Sequence, residues 1–168
     1  MTLEASWFYW KSKIARSGIG TPSRRGKPSW KRRLAWGGPY QIQAAISSLH
    51  AQADRPEETH WRQIAALYGR LLEMNPSPVI ALNQAVAVAM AEGPAHGLRL
   101  LDRLETQGAL SNYTPFHVAR AELLRRAGSL DKARAAYERA LELSQNKAER
   151  VLCRRRLSEI DDDVNGKQ

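Results

Sequence analysis

G-S-L-D-K-A-R-A-A-Y-E-R-A-L-E-L, residues 128–143, decides how this chain folds. Gly128 ends one helical pattern and Ser129 opens the next. Ala133, Tyr137 and Ala140 are then spaced at i, i+4 and i+7, which places them on one face of a helix. Two alanines on that face let a neighbouring helix come close, and the tyrosine between them supplies the bulk. The end of the stretch, Y-E-R-A-L-E-L (137–143), has a counterpart in Y-G-R-L-L-E-M (68–74), with Tyr, Arg, Leu and Glu in register sixty-nine residues apart. A weaker middle copy is L-D-R-L, 101–104. Sixty-nine residues is about two periods of a repeat of roughly 34 residues built from a helix, a turn and a helix.

Residues 128–143 resemble the turn and second helix of a tetratricopeptide unit, with Gly128 at the turn and Tyr137 between packed helices. Pro76 matches the proline that closes such a unit. The resemblance implies an all-α chain of antiparallel helix pairs, a right-handed array of about seven helices. A generic antiparallel bundle has the same packing physics and stays open.

The rest of the chain punctuates itself in the same way. Ile42, Ala45, Ile46 and Leu49 have helical spacing after Pro39. Trp61, Ile64, Ala65, Tyr68 and Leu72 repeat it until Asn75, Pro76 and Pro78 intervene. Ser77 and Pro78 read as cap and first residue of a third helix, apolar nearly all round and therefore central. Gly93-Pro94 and Thr114-Pro115 begin two more, and Asn146 with Glu149 reads as a capping box for the last, Lys147–Ile160. The expected core is Trp61, Ile64, Tyr68, Leu72, Leu82, Val86, Leu100, Leu101, Leu123, Ala133, Tyr137 and Leu141. Residues 161–168 read as a frayed, disordered tail.

The 168 residues carry a formal charge of +9, but unevenly. Residues 1–36 hold nine Lys or Arg and one acid, Glu4; residues 37–168 hold seventeen bases and sixteen acids. The basic character therefore belongs to the first segment, where Arg24, Arg25, Lys27, Lys31, Arg32 and Arg33 are candidate contacts to a polyanion. No specific nucleic-acid contact is expected from residues 37–168. Cys153 is the sole cysteine, which excludes an internal disulfide and fits a cytoplasmic protein. No run has the length of a membrane helix.

Residues 37–157 carry a second, more specific resemblance. G-G-P-Y-Q-I-Q-A-A-I, L-H-A, W-R-Q-I-A-A-L-Y, N-P-S-P-V-I-A-L-N-Q-A-V-A-V-A-M and A-E-R (148–150) are similar to the C-terminal tetratricopeptide-like extension of a group of extracytoplasmic-function sigma factors. This implies a regulatory or protein-interaction module acting in transcription initiation. Its partners by resemblance are sigma core domains or RNA polymerase. The family's promoter-binding helical domains have no counterpart in these residues, so sigma activity of this molecule alone is not expected. The alternative is a free-standing tetratricopeptide adaptor for a protein or peptide.

The segment before G-P-Y-Q departs from that family. Where it has L-L-E-[DE]-Q-D-R, this chain has W-F-Y-W-K, residues 7–11. Read from the third base of each codon, Trp-Phe forces Val, Phe-Tyr and Tyr-Trp force Leu, and Trp-Lys forces Glu. Allowed codons across residues 11–34 continue as E-Q-D-R-A-I-W-D-R and then A-E-G. Residues 1–36 thus read as an out-of-frame translation of the missing segment, or otherwise as a basic disordered arm.

Catalytic chemistry is sparse. His50, His60, His96 and His117 show no metal-ligand spacing, and His50 and His60 read as capping or surface residues. Cys153 reads as a packing residue. Asp54, Glu57 and Glu58 read as a solvated cluster at a helix start. There is no phosphate loop or nucleophile motif, so no enzyme, cofactor or metal is expected. Arg150, Arg154, Arg155 and Arg156 read plainly as a solvated helix face and, in the sharper reading, as a protein-docking patch.

Overall fold

The computed structural model describes residues 38–53 and 58–165, with side chains described to 163. Among them the chain forms seven helices: α1 (Pro39–Gln52), α2 (Trp61–Met74), α3 (Pro78–Glu92), α4 (Pro94–Thr106), α5 (Thr114–Arg126), α6 (Leu130–Leu143) and α7 (Lys147–Asn165). The described residues contain no strand. The fold is all-α, with helices in antiparallel pairs of tetratricopeptide type.

Prolines start four helices for the expected reason: the first-turn N–H has no partner inside the helix, so proline loses nothing there. The Ser77 carbonyl accepts the first bond of α3, from the Ala81 N–H at 3.0 Å. At α1 the Gln41 side chain reaches back to the Gly38 N–H, half of a capping box.

The chain divides into two compact units, and the boundary between Ala87 and Val88 falls inside α3. In the first unit, Ile42, Ala45, Ile46 and Leu49 of α1 meet Ile64, Leu67, Tyr68 and Leu71 of α2, with Ala87 of α3 joining them. Trp61, Ala65 and Ile80 line the edge of this core. His50, expected as a capping or surface residue, is buried. Its ring stands edge-on to Trp61, with centroids 5.4 Å apart. It lies one helical turn beyond Ile46 and is drawn in with the apolar face.

In the second unit α5 and α6 are the most extensively packed pair, followed by α6 with α7 and α4 with α5. The α5–α6 turn is a Schellman motif. Gly128 sits at φ 78°. The Ser129 N–H bonds to the Leu124 carbonyl at 2.9 Å and the Gly128 N–H to the Arg125 carbonyl at 3.1 Å. Ala133, Tyr137 and Ala140 are fully buried, as the spacing predicts. Of the expected core, Ile64, Tyr68, Leu82, Val86, Leu101 and Leu123 are also buried, whereas Trp61, Leu72, Leu100 and Leu141 are half-buried. Helix α7 continues to Asn165, where the sequence was expected to fray from 161. An ion pair joins Arg134 of α6 to Asp161 in that last part.

Candidate functional site

The four arginines of the candidate patch do not form one surface. Arg150 is half-buried and serves α6: its Nη1 donates to the Leu141 carbonyl at 2.7 Å and the Ser144 carbonyl at 3.0 Å. It satisfies carbonyls left over where α6 ends. Arg156 is only 2% exposed, so it belongs to the interior and cannot dock a partner from there. Its Nε donates to Glu122 Oε1 of α5 at 2.8 Å, and its Nη1 to Glu159 at 2.6 Å. Arg154 and Arg155 remain on the surface, and Arg155 pairs with Glu159 at 3.0 Å.

The helical wheel explains this. Glu149, Cys153, Arg156 and Ile160 are spaced at i, i+4, i+7 and i+11, and all four are buried. Arg156 enters the core because Glu122, itself buried, awaits it with a second cation, Arg125, at 3.2 Å from its other oxygen. Tyr137 lies beside this carboxylate. Burial first, and then the Glu122 charge, push its phenol well above its ordinary pKa. Burial also lifts the Cys153 thiol to about 11, with help from Glu149 and Glu122. Cys153 is therefore a packing residue, held as the unreactive thiol.

Helix α7 starts at an Asn146 cap that Ser144 links to Glu149. Asn146 Oδ1 accepts from the Ala148 N–H at 2.9 Å, while the Asn146 N–H donates to Ser144 Oγ at 3.2 Å. The Ser144 hydroxyl in turn donates to Glu149 at 2.9 Å.

Arg24, Arg25, Lys27, Lys31, Arg32 and Arg33, and the whole of segment 1–36, lie outside the described residues, as do Asp54 and Glu57. Glu58 is exposed. His60 is exposed at the N-cap of α2, and its carbonyl accepts from the Ile64 N–H at 3.1 Å. The His117 ring contacts the Ser111 carbonyl at 2.8 Å, and His96 is exposed. Among the described residues no group of three His, Cys, Asp or Glu is placed to hold a metal, and no helix is long and apolar enough to cross a membrane.

A different surface emerges on α1. Opposite its buried stripe run Tyr40, Ala44, Ser47, Ser48 and Ala51, spaced at i, i+4, i+7, i+8 and i+11. Tyr40 is 86% exposed, more than any other large hydrophobic residue described. Helix α1 contains no Asp, Glu, Lys or Arg at all. The outer faces of α4, α6 and α7 instead carry ion pairs: Arg120 of α5 with Asp102 and Glu105 of α4, Arg139 with Glu142, and Arg155 with Glu159. The lack of charge on α1 is visible in the sequence, but an absence of charge is marked by no run or motif.

No family model matches the chain. Over 123 residues, 73% of the chain, it is 45% identical to an uncharacterised protein of Rhizobium meliloti (strain 1021), and it spans 29% of that relative's length. The fold is similar to the NMR structure of the first tetratricopeptide domain of the human RPAP3 protein. That match has a TM-score of 0.59 at 20% identity and covers 77% of this chain and 97% of the domain.

Proposed function

We propose that the helical part of this chain is a protein-interaction module. The observation that carries this reading is the tetratricopeptide turn-and-helix of residues 128–143 in its full geometry: Gly128 at positive φ, with Ala133, Tyr137 and Ala140 buried. Helix pairs of this type stack into extended surfaces that take up protein segments. The partner is a protein or peptide. We infer that it is the remainder of a longer polypeptide like the Rhizobium meliloti relative, of which the chain spans 29%. A chimera of that relative, with residues 38–165 of this chain replacing the matching segment, provides the test. Hydrogen exchange of these residues should be slower at surface positions of the chimera than in the chain alone. Identical exchange at every surface position would refute docking.

A second, finer reading is the regulatory module of an extracytoplasmic-function sigma factor. It is favoured by the blocks G-P-Y-Q-I-Q-A-A-I (38–46) and P-V-I-A-L-N-Q-A-V-A-V-A (78–89). On this reading the module packs against sigma core domains or RNA polymerase and sits C-terminal to them. The full-length relative should then co-elute with bacterial RNA polymerase and support initiation from a promoter pool. Absence of both would remove the sigma reading and leave the interaction module standing. Residues 1–36 are, on the same reading, an out-of-frame translation that contributes only non-specific attraction for polyanions.

A further inference from the structure

The geometry points to the Met90 thioether as an oxidation site, with Arg126 placed to bind the added oxygen, so that the sulfoxide tightens the contact between α3 and α5. The observation is an unequal bond. Arg126, the last residue of α5, donates from Nη1 to Met90 Sδ in the last turn of α3, at 2.9 Å. Both residues belong to the second unit. Among the described residues this sulfur is the only hydrogen-bond partner of the Arg126 side chain. Arg120 and Arg125 of the same helix bond to carboxylates instead. A thioether is a weak acceptor, whereas a guanidinium carries five N–H donors and stays charged. Burial is the first influence holding the Arg126 guanidinium below its ordinary pKa; Glu122 works against it and Arg125 with it. A cation short of hydration and bonded to a weak acceptor gains from a stronger one.

Hydrogen peroxide supplies that acceptor. A sulfur lone pair attacks one peroxide oxygen, and the S–O bond forms as the O–O bond breaks. The departing hydroxide takes up the proton left on the transferred oxygen and leaves as water. Sulfur is oxidised by two electrons, the peroxide is reduced by two, and the guanidinium keeps its charge. The product is a polar side chain whose oxygen accepts from Arg126. Met90 and Arg126 are both half-buried, so a small oxidant reaches the sulfur and the arginine can withdraw to admit the new atom. Met74 makes the contrast: it is 45% exposed, and no arginine among the described residues bonds to its sulfur. Cys153 does not compete, because its thiol is buried and held protonated.

The experiment uses the full chain carrying Met74→Leu. It is treated with hydrogen peroxide, sulfoxides are located by peptide mass spectrometry, and thermal melts are recorded before and after. The same chain with Met90→Leu added controls for oxidation at Met1 and should show no shift. Conversion of Met90 should raise the melting temperature by about 2–4 °C. In Arg126→Ala the same conversion should lower it, as a sulfoxide does in an apolar contact. Arg126→Lys keeps a charged donor and should retain a rise. A fall in the parent chain, or an equal rise in Arg126→Ala, would overturn the assignment. So would a Met90 that stays reduced in the original chain once Met74 is fully oxidised. If Arg126→Ala does not fold, the sign of the shift in the parent chain decides.

Discussion

Tyr137 concentrates the packing of the second unit at one point, fully buried between Ala133 and Ala140. Truncating it to alanine removes a whole aromatic ring from a site with little room to collapse, so Tyr137→Ala should cost about 3–5 kcal/mol in a urea titration. The buried pair Glu122–Arg156 behaves differently. Removing one partner, as in Arg156→Ala, leaves the buried Glu122 with Arg125 as its remaining counter-charge and should cost about 3 kcal/mol, the low end for a broken buried pair, whereas the double change Glu122→Leu with Arg156→Met frees Arg125 and Glu159 to face solvent and should cost less than the single change. The comparison of single and double variants in one titration shows whether the pair serves specificity rather than net stability. Cys153 sets a pH effect. Its thiol is lifted from 9.0 to about 11 in the folded chain, first by burial and then by Glu149 and Glu122. The unfolded chain ionises first as pH rises. The stabilisation is therefore complete below pH 9.0 and is lost progressively between 9.0 and about 11. Tyr68 and Tyr137 also have raised pKa values, so the control is Cys153→Ala, whose melting temperature should fall less steeply over that window. In the folded state the thiol should also resist a disulfide reagent at pH 8 until urea unfolds the chain.

At the scale of elements, the α5–α6 turn depends on a left-handed residue. Gly128 at φ 78° has open space around an added Cβ, so the cost of substitution is backbone strain alone. Gly128→Ala should destabilise by about 1–2 kcal/mol and Gly128→Asn by less, measured by thermal melting. This turn and its helix were legible in the sequence because the determinants are local: a glycine stop, a serine start and a face of small residues. Other features were legible in principle but needed the helical angle rather than the linear run. Arg154, Arg155 and Arg156 look like one patch when read in a line. On the wheel Arg156 joins Cys153 and Ile160 on the inner face, and its partner Glu122 sits thirty-four residues away on another helix. The end of α7 was not legible at all. Three aspartates at a helix C-terminus oppose the helix dipole and predict fraying, and the contact of Asp161 with Arg134 of α6 is tertiary. His50 illustrates the same limit, since its ring is covered by packing with α2, where Trp61 stands edge-on to it.

For the whole molecule, the governing fact is that charge and helical pattern divide at the same place. Residues 1–36 hold nine of the twenty-six Lys and Arg with a single acid, while the rest of the chain is nearly neutral. If these residues are an out-of-frame translation, they were never selected to fit the helices. Deleting them should leave the melting temperature of the helical part unchanged. The same deletion should abolish most binding to heparin, because the excess positive charge goes with it. Six phosphate or sulfate contacts would make the full-length binding fall on the order of a thousand-fold between about 50 and 200 mM salt. A large drop in melting temperature on deletion would mean that the segment packs against the helices, and the frame argument would fail. The coding DNA gives the sharper test. W-F-Y-W-K must read V-L-L-E from the third base of each codon whatever synonymous codons are used, so those positions carry no information. The free positions do: residues 11–34 have to spell E-Q-D-R, then W-D-R, then A-E-G in the shifted frame. Codons that spell something else would return Arg24, Arg25, Lys27, Lys31, Arg32 and Arg33 to the status of a selected basic arm. Codons that spell it would show that residues 1–36 are the shifted reading of a segment once continuous with the helical module.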